Sequence, residues 1–297
     1  MTGKLELTFS SRLTSERRDV AEASVRGMIE KASAEAAAVQ ALRAQRQELR
    51  RALAAPIDAV ILADAKAAAA LKALSKEASD AGGFEPQRPA EFPDHQGSRL
   101  PPPRVSPDLL AIPAVPPFDY AWSYTVAGSG QPAQNVSDVQ GNLIVNVKSG
   151  SIVGGASTFV NAHCGVGTVF NLDRTATVYL DGTLDYRHKY LLDCHGIGAA
   201  ASADGGLDAA LMRGPTMISL LNLPFYHKRI SGWEDETVDL PFAPQNFPQG
   251  MALQVGPGSY GFNLGIWAVS DYSGGIGGAA AQSACQAVVR EMRIVAL

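Results

Sequence analysis

Ten prolines, at positions 86, 89, 93, 101, 102, 103, 107, 113, 116 and 117, cut the 297-residue chain in two. Each fixes φ and removes a backbone donor, so neither a regular helix nor a central strand runs through such a stretch. Polyproline-like chain rises about 3.1 Å per residue, which makes residues 84–117 a linker or a strap laid across a surface. Leu109, Leu110, Ile112 and Val115 predict that its last third docks.

Before the prolines the sequence reads as helix. Leu5, Leu7 and Phe9 alternate with Lys4, Glu6 and Thr8, the pattern of a short extended arm over residues 1–13. Thr14 is a candidate N-cap, with Arg17 where a capping box has Glu or Gln. From Ser15 to about Ala54 the residues are mostly strong helix formers, with one glycine, Gly27, and no proline. The apolar positions keep a three-four stride through Val25, Ile29, Ala32, Ala36, Val39, Leu42, Leu49 and Leu53, with Arg46 in the seam. A helix of roughly 60 Å with so narrow a stripe does not fold alone and needs a partner surface. Pro56 suits the first turn of a second helix, Ile57 to about Ser79, whose Ile57, Val60, Ile61, Ala68, Leu71 and Leu74 form a face. Residues 14–83 thus read as a helical stalk or a helical hairpin, ended by Gly82 and Gly83.

After Phe118, glycine becomes frequent and short β-branched or aromatic runs alternate with turn residues. Eleven short strands are predicted between Tyr120 and Ala296. The clearest local signal is Asp181-Gly182 between two alternating runs, the pair that a type I′ hairpin turn requires. The expected fold is α+β in separate parts: long N-terminal helices, a Pro-rich linker and, over residues 118–297, an antiparallel β-sandwich of jelly-roll or lectin-like type.

The formal net charge of −4 gives no positive field for nucleic acid. The first residues lack the pattern of a secretory signal, so synthesis in the cytoplasm is expected. Pro56 to Leu74 is interrupted by Asp58, Asp64, Lys66 and Lys72, which argues against membrane insertion. Three cysteines do not make a disulfide scaffold, although Cys164 and Cys194 could be bridged.

Two echoing motifs, His163-Cys164-Gly-Val-Gly and Cys194-His195-Gly-Ile-Gly, offer the donors of a tetrahedral zinc site. Adjacent residues on a strand point to opposite faces, so the expectation is small buried thiols, no metal and no cofactor. No serine sits in a nucleophile-elbow context. Asp181, Asp185 and the Glu234-Asp235-Glu236 cluster are the acids that a hydrolase on a sandwich scaffold would use. Trp233 with Tyr226, His227 and Arg229 forms an aromatic and polar group of the kind that stacks on sugar rings, the candidate ligand-binding site. The glycines from Gly274 to Gly278 lack a Walker lysine and a following helix, so they read as a loop.

In its order of parts, arm, helices, Pro-rich strap and terminal β domain, the chain resembles fibre and spike proteins of tailed phages and phage-like particles. The resemblance implies a non-enzymatic virion structural protein that forms a homo-oligomer, such as a trimer, and contacts other particle proteins through its N-terminal part. It also implies host attachment, through a surface or glycan, by the β domain. The alternatives are a toxin-like protein with membrane-active helices and a lectin-like targeting domain, and the hydrolase.

Overall fold

The computed structural model describes residues 5–80, 110–126, 129–150, 159–273 and 276–297. In chain order the elements are β1 (Leu5–Phe9), α1 (Ser15–Ala63), α2 (Ala65–Asp80), β2 (Leu110–Ala114), β3 (Tyr120–Thr125), β4 (Gln134–Ser137) and β5 (Asn142–Gly150). They continue with β6 (Phe159–Leu172), β7 (Ala176–Arg213), β8 (Thr216–Asp239), β9 (Ala243–Val255), β10 (Gly258–Ser273) and β11 (Ile276–Ala296). Gly82, Gly83 and most of the proline run lie outside the described residues.

All eleven strands belong to one antiparallel sheet. Its axis is β7, 38 residues long. One side of β7 pairs with β8 and then β9; the other pairs with β10 over residues 200–212 and with β11 over residues 178–197. At the level of residues 195–200 the β7–β8 register shifts, and Gly198 and Gly232 take positive φ of 75° and 81° there. Such conformations are open to glycine at little steric cost. The sheet bends at this level and curls over on itself. Strands β1, β3, β6, β10 and the second half of β7 form one layer; β4, β5, β11 and the first half of β7 form the other.

The main core fills the space between the layers, with Leu207, Leu211, Phe262 and Leu264 from one facing Leu143, Val145, Leu184 and Val289 from the other. A smaller cluster around Leu192, Ala201 and Tyr272 fills the bend.

The expected separate parts and two-sheet sandwich are therefore overturned. The chain is mostly β, its two layers are halves of a single sheet, and α1 is built onto that sheet. Ala21, Val25, Met28 and Ala36 of α1 pack against Tyr120, Trp122, Tyr124, Ala210 and Met212 on the outer face of the first layer. Arg17 anchors the start of the helix, donating to Asp119 at 3.0 Å and to the Val169 carbonyl. Thr14 stands at the N-cap in an extended conformation, without a side-chain capping bond.

Two turn predictions also fail. Pro56 lies inside α1, and the helix breaks instead at Asp64, whose Oδ1 accepts from the N–H groups of Lys66 at 2.8 Å and Ala67 at 3.1 Å to start α2. Asp181-Gly182 makes no hairpin: β7 runs straight through it. Both neighbouring strands shift register there, and a Cβ on Gly182 would lie 2.8 Å from the Glu291 carbonyl oxygen and 3.3 Å from Leu264. The glycine serves close approach, not a reversal. The reversal occurs at Gly214, φ 56°, between β7 and β8.

Strand β1 pairs with β3, with Leu5, Leu7 and Phe9 packed on the helix-side cluster. Within the proline run, β2 pairs with the end of β11, and Pro113 sits in this short outer strand, where a missing donor is tolerated.

Candidate functional site

The outer face of the first layer is floored with glycine. A Cβ on Gly165 or Gly265 would come within 2.5 or 2.6 Å of the Trp122 ring; on Gly167, within 2.5 Å of Tyr120 Cε2; on Gly206, within 2.9 Å of the Trp267 ring; and on Gly261, within 2.5 Å of Ser24 Oγ. Large rings and a helix thus lie directly on the backbone of β6, β7 and β10.

Between this floor and α1 opens a cleft of about 440 Å³, counting its open mouth. Met28, Lys31, Ala32 and Glu35 line it from the helix; Trp122, Tyr124 and His163 from β3 and β6; Asp208, Met217, Leu220 and Asn222 from β7 and β8. His163 is only 7% exposed. Its ring stacks on that of Tyr124, with centroids 4.8 Å apart and planes 10° from parallel. Its Nδ1 lies 2.9 Å from Asp208 Oδ2, and Asn222 Nδ2 donates to Asp208 Oδ1 at 2.7 Å. Nδ1–H donates to the carboxylate, which orients the ring. The ring's Nε2 is buried without a hydrogen-bond partner, as is the Trp122 indole N–H. Burial, with Asp208 and Glu35 nearby, raises the Tyr124 phenol well above its usual pKa, so it stays protonated. An oriented imidazole is what a binding or proton-transfer site needs, but no serine or cysteine lines this cleft.

The zinc candidates are dispersed. His163 faces the cleft while Cys164 faces the inter-layer core, its thiol 3.6 Å from the Ile144 carbonyl oxygen. Cys194 lies in the cluster at the bend, and His195 Nε2 contacts Asp193 at 2.6 Å. All three cysteines are buried and unbridged, and among the described residues no three His, Cys, Asp or Glu side chains converge as metal ligands.

Two of the carboxylates suggested for acid–base chemistry, Asp181 and Asp185, are held by arginines. Arg293 Nε donates to Asp181 Oδ1 at 2.9 Å, and Arg290 Nε to Asp185 Oδ2 at 2.8 Å. Glu234 lies in a strand, where its Oε2 accepts the Ser231 N–H at 3.2 Å.

The suggested sugar-stacking group is divided by the pleat of β8. Tyr226 turns inward, stacked on His188 at 4.4 Å with its hydroxyl 2.6 Å from Ser283 Oγ and 3.4 Å from Cys285 Sγ. His227 faces outward against Asp204, and Arg229 shares that exposed side. Trp233, 61% exposed, lies past the bend, its ring 6.3 Å from that of His195.

Sequence reasoning singled out His163 but missed Asp208, Asn222 and Trp122. Nothing in sequence joins His163 to residues 41 and more positions away; the glycines at 165 and 167 carried the only hint, as room for rings. Among the described residues, no helix is long and apolar enough to cross a membrane.

No family model matches the sequence, and no curated protein does. Among solved structures, the chain is similar to a chain in the structure of the infectious bursal disease virus Gx strain, at 11% identity and TM-score 0.19, over 67% of this chain and 41% of that one. It is similar at 10% identity to a chain of the Gt strain structure, with TM-score 0.16 over the same shares. For a chain of the T13 IBDV viral particle, the identity is 10% and the TM-score 0.15, over 60% of this chain and 48% of that one. The chain spans less than half the length of these virus chains, and the resemblance is weak. No match to a fibre or spike family accompanies it.

Proposed function

We propose that this chain is a non-enzymatic structural subunit of a virus-like or phage-like particle that self-associates through the distal part of α1, with the β body presented for contact with other particle proteins or a host surface. The observation that supports this reading is the stripe along α1. Where the helix lies on the sheet, Val25, Met28 and Ala36 are buried; farther along, Leu42, Leu49, Leu53 and Val60 are 57, 62, 69 and 74% exposed. These residues keep the three-four stride, a pattern complementary to another helix carrying the same one. A second copy supplies that helix.

The test is sedimentation of the full chain beside Leu49→Asp/Leu53→Asp. Burying the exposed part of each leucine contributes about 1–2 kcal/mol, so four across a pair of helices contribute about 4–8 kcal/mol. The double substitution is expected to weaken association by at least about a thousandfold. A wild-type chain that sediments as a monomer at about 10 μM, a concentration at which even modest interfaces associate, refutes the proposal.

A further inference from the structure

The sheet leaves one long edge open, on a surface separate from the helical stripe. Among the described residues β8 pairs only with β7, so the other side of this 24-residue strand presents a row of N–H and C=O groups without a neighbouring strand. The remaining open edges are blunted. Strands β1, β2 and β4 are five, five and four residues long, β2 carries Pro113, and β9 carries Pro244 and Pro248. We infer that the outer edge of β8 takes the same edge of a second copy of this chain, antiparallel about a twofold axis at the crease.

The order of charges selects this occupant. β8 reads His227-Lys228-Arg229 before Gly232 and Glu234-Asp235-Glu236 after it. Two copies laid antiparallel, Gly232 opposite Gly232, set Arg229 against Asp235 of the second copy and Lys228 against Glu236 of the second copy, and symmetry makes each match twice. Opposite charges across a strand pair stabilise it, and like charges oppose it. A slip of two residues puts Arg229 against Trp233 or Thr237 and loses the matches. An edge charged with one sign would repel its own copy, whereas this order admits one register. Lys228 and Glu236 also pair within the chain, at 2.7 Å. Arg229 and Asp235 are exposed, and neither has an ion-pair partner among the described residues, so they are the charges left to cross the axis. The proline-free part of the strand, residues 225–239, is centred on the same Gly232. Trp233, 61% exposed, then lies beside the axis against Ser231 of the second copy. Because β8 pairs with the second half of β7 before the crease and with its first half after it, each layer of one copy continues into the opposite layer of the other.

The experiment is sedimentation of the full chain at about 1–100 μM, a range that reveals micromolar association, in a Leu49→Asp/Leu53→Asp background that removes the helical contact. The expected species is a dimer. Arg229→Asp and Asp235→Arg, each added alone, are expected to weaken it by at least about tenfold, because each sets like charges opposite one another at two places. Mixed in equal amounts, the two variants are expected to recover the dimer, since each supplies the charge that the other lacks. Both positions are exposed, so the reversals leave the cores untouched. A monomer throughout the range overturns the inference, as do single variants that associate like their parent or a mixture no tighter than its components. The two associations fail separately: a monomer here beside an oligomeric wild type removes only the edge contact, and a dimer here beside a wild type no larger removes only the helical one.

Discussion

Gly27→Ala sets helix propensity against packing, and the two give opposite signs. In the interior of an isolated helix, alanine is more favourable than glycine by about 1 kcal/mol. Here Gly27 faces the β7–β8 turn, where an added Cβ runs into the Pro215 carbonyl oxygen and lies 2.7 Å from its carbon and 2.9 Å from Met212 Cε. Carbon atoms normally rest about 3.5–4.0 Å apart, so the helix or the turn must retreat by about 1 Å. A gap of that size forfeits a quarter to a half of each dispersion contact, and Val25 and Met28, both buried against the same layer, lose theirs together. The obstruction is backbone, not the end of a flexible side chain, which places the cost at or above the usual 1–3 kcal/mol of overpacking. The net expectation is destabilisation by about 1–3 kcal/mol, read in thermal unfolding as a fall of about 2–10 °C. A melting temperature that is unchanged or raised would show that the helix does not lie on this turn, and the layered arrangement would fail with it.

Two further outcomes follow from the buried groups. Burial raises the Cys164 thiol well above its usual pKa and pushes Cys285 up to about 11 and Cys194 up to about 12, so all three stay protonated at pH 8. Ellman's reagent is expected to titrate no thiol in the native protein and three in urea; a prompt native reaction would place a cysteine outside the cores. Burial also lowers the pKa of His188 from 6.5. The unfolded chain therefore takes the proton first: stability is full above about pH 6.5 and declines as the pH falls through that value towards the lower folded one. His188→Phe is expected to flatten urea midpoints measured between pH 7 and 5, and an unchanged slope would refute the assignment.

The parts of the fold legible in the sequence are those where a short window contains the whole signal. The alternation of Leu5, Leu7 and Phe9 specifies β1, and the stripe from Val25 to Ala36 specifies the buried face of α1. The run from Gly196 to Arg213 carried no such signal. Its alanines and glycines have little strand propensity, yet they form half of β7, because small side chains are what let Tyr226 reach across Gly205 and the Trp267 ring lie on Gly206. Asp181-Gly182 misled for the related reason that a glycine needed for close packing and one needed for a turn look alike in sequence. The separation into parts failed because the partner surface that α1 requires lies more than eighty residues away, on β3, β6 and β7. At the cleft, His163 was visible as one residue of a motif, while its partners Asp208 and Asn222 are joined to it only by the pairing of β6, β10, β7 and β8.

Because β7 and β8 pass from one layer to the other without a loop, the two halves of the core are tethered by covalent backbone at their shared crease. Peeling the layers apart therefore requires straightening the crease or tearing hydrogen-bonded ladders lengthwise, and separating side chains alone does not suffice. A module of this kind resists shear along its strands and gives way, if at all, as one piece.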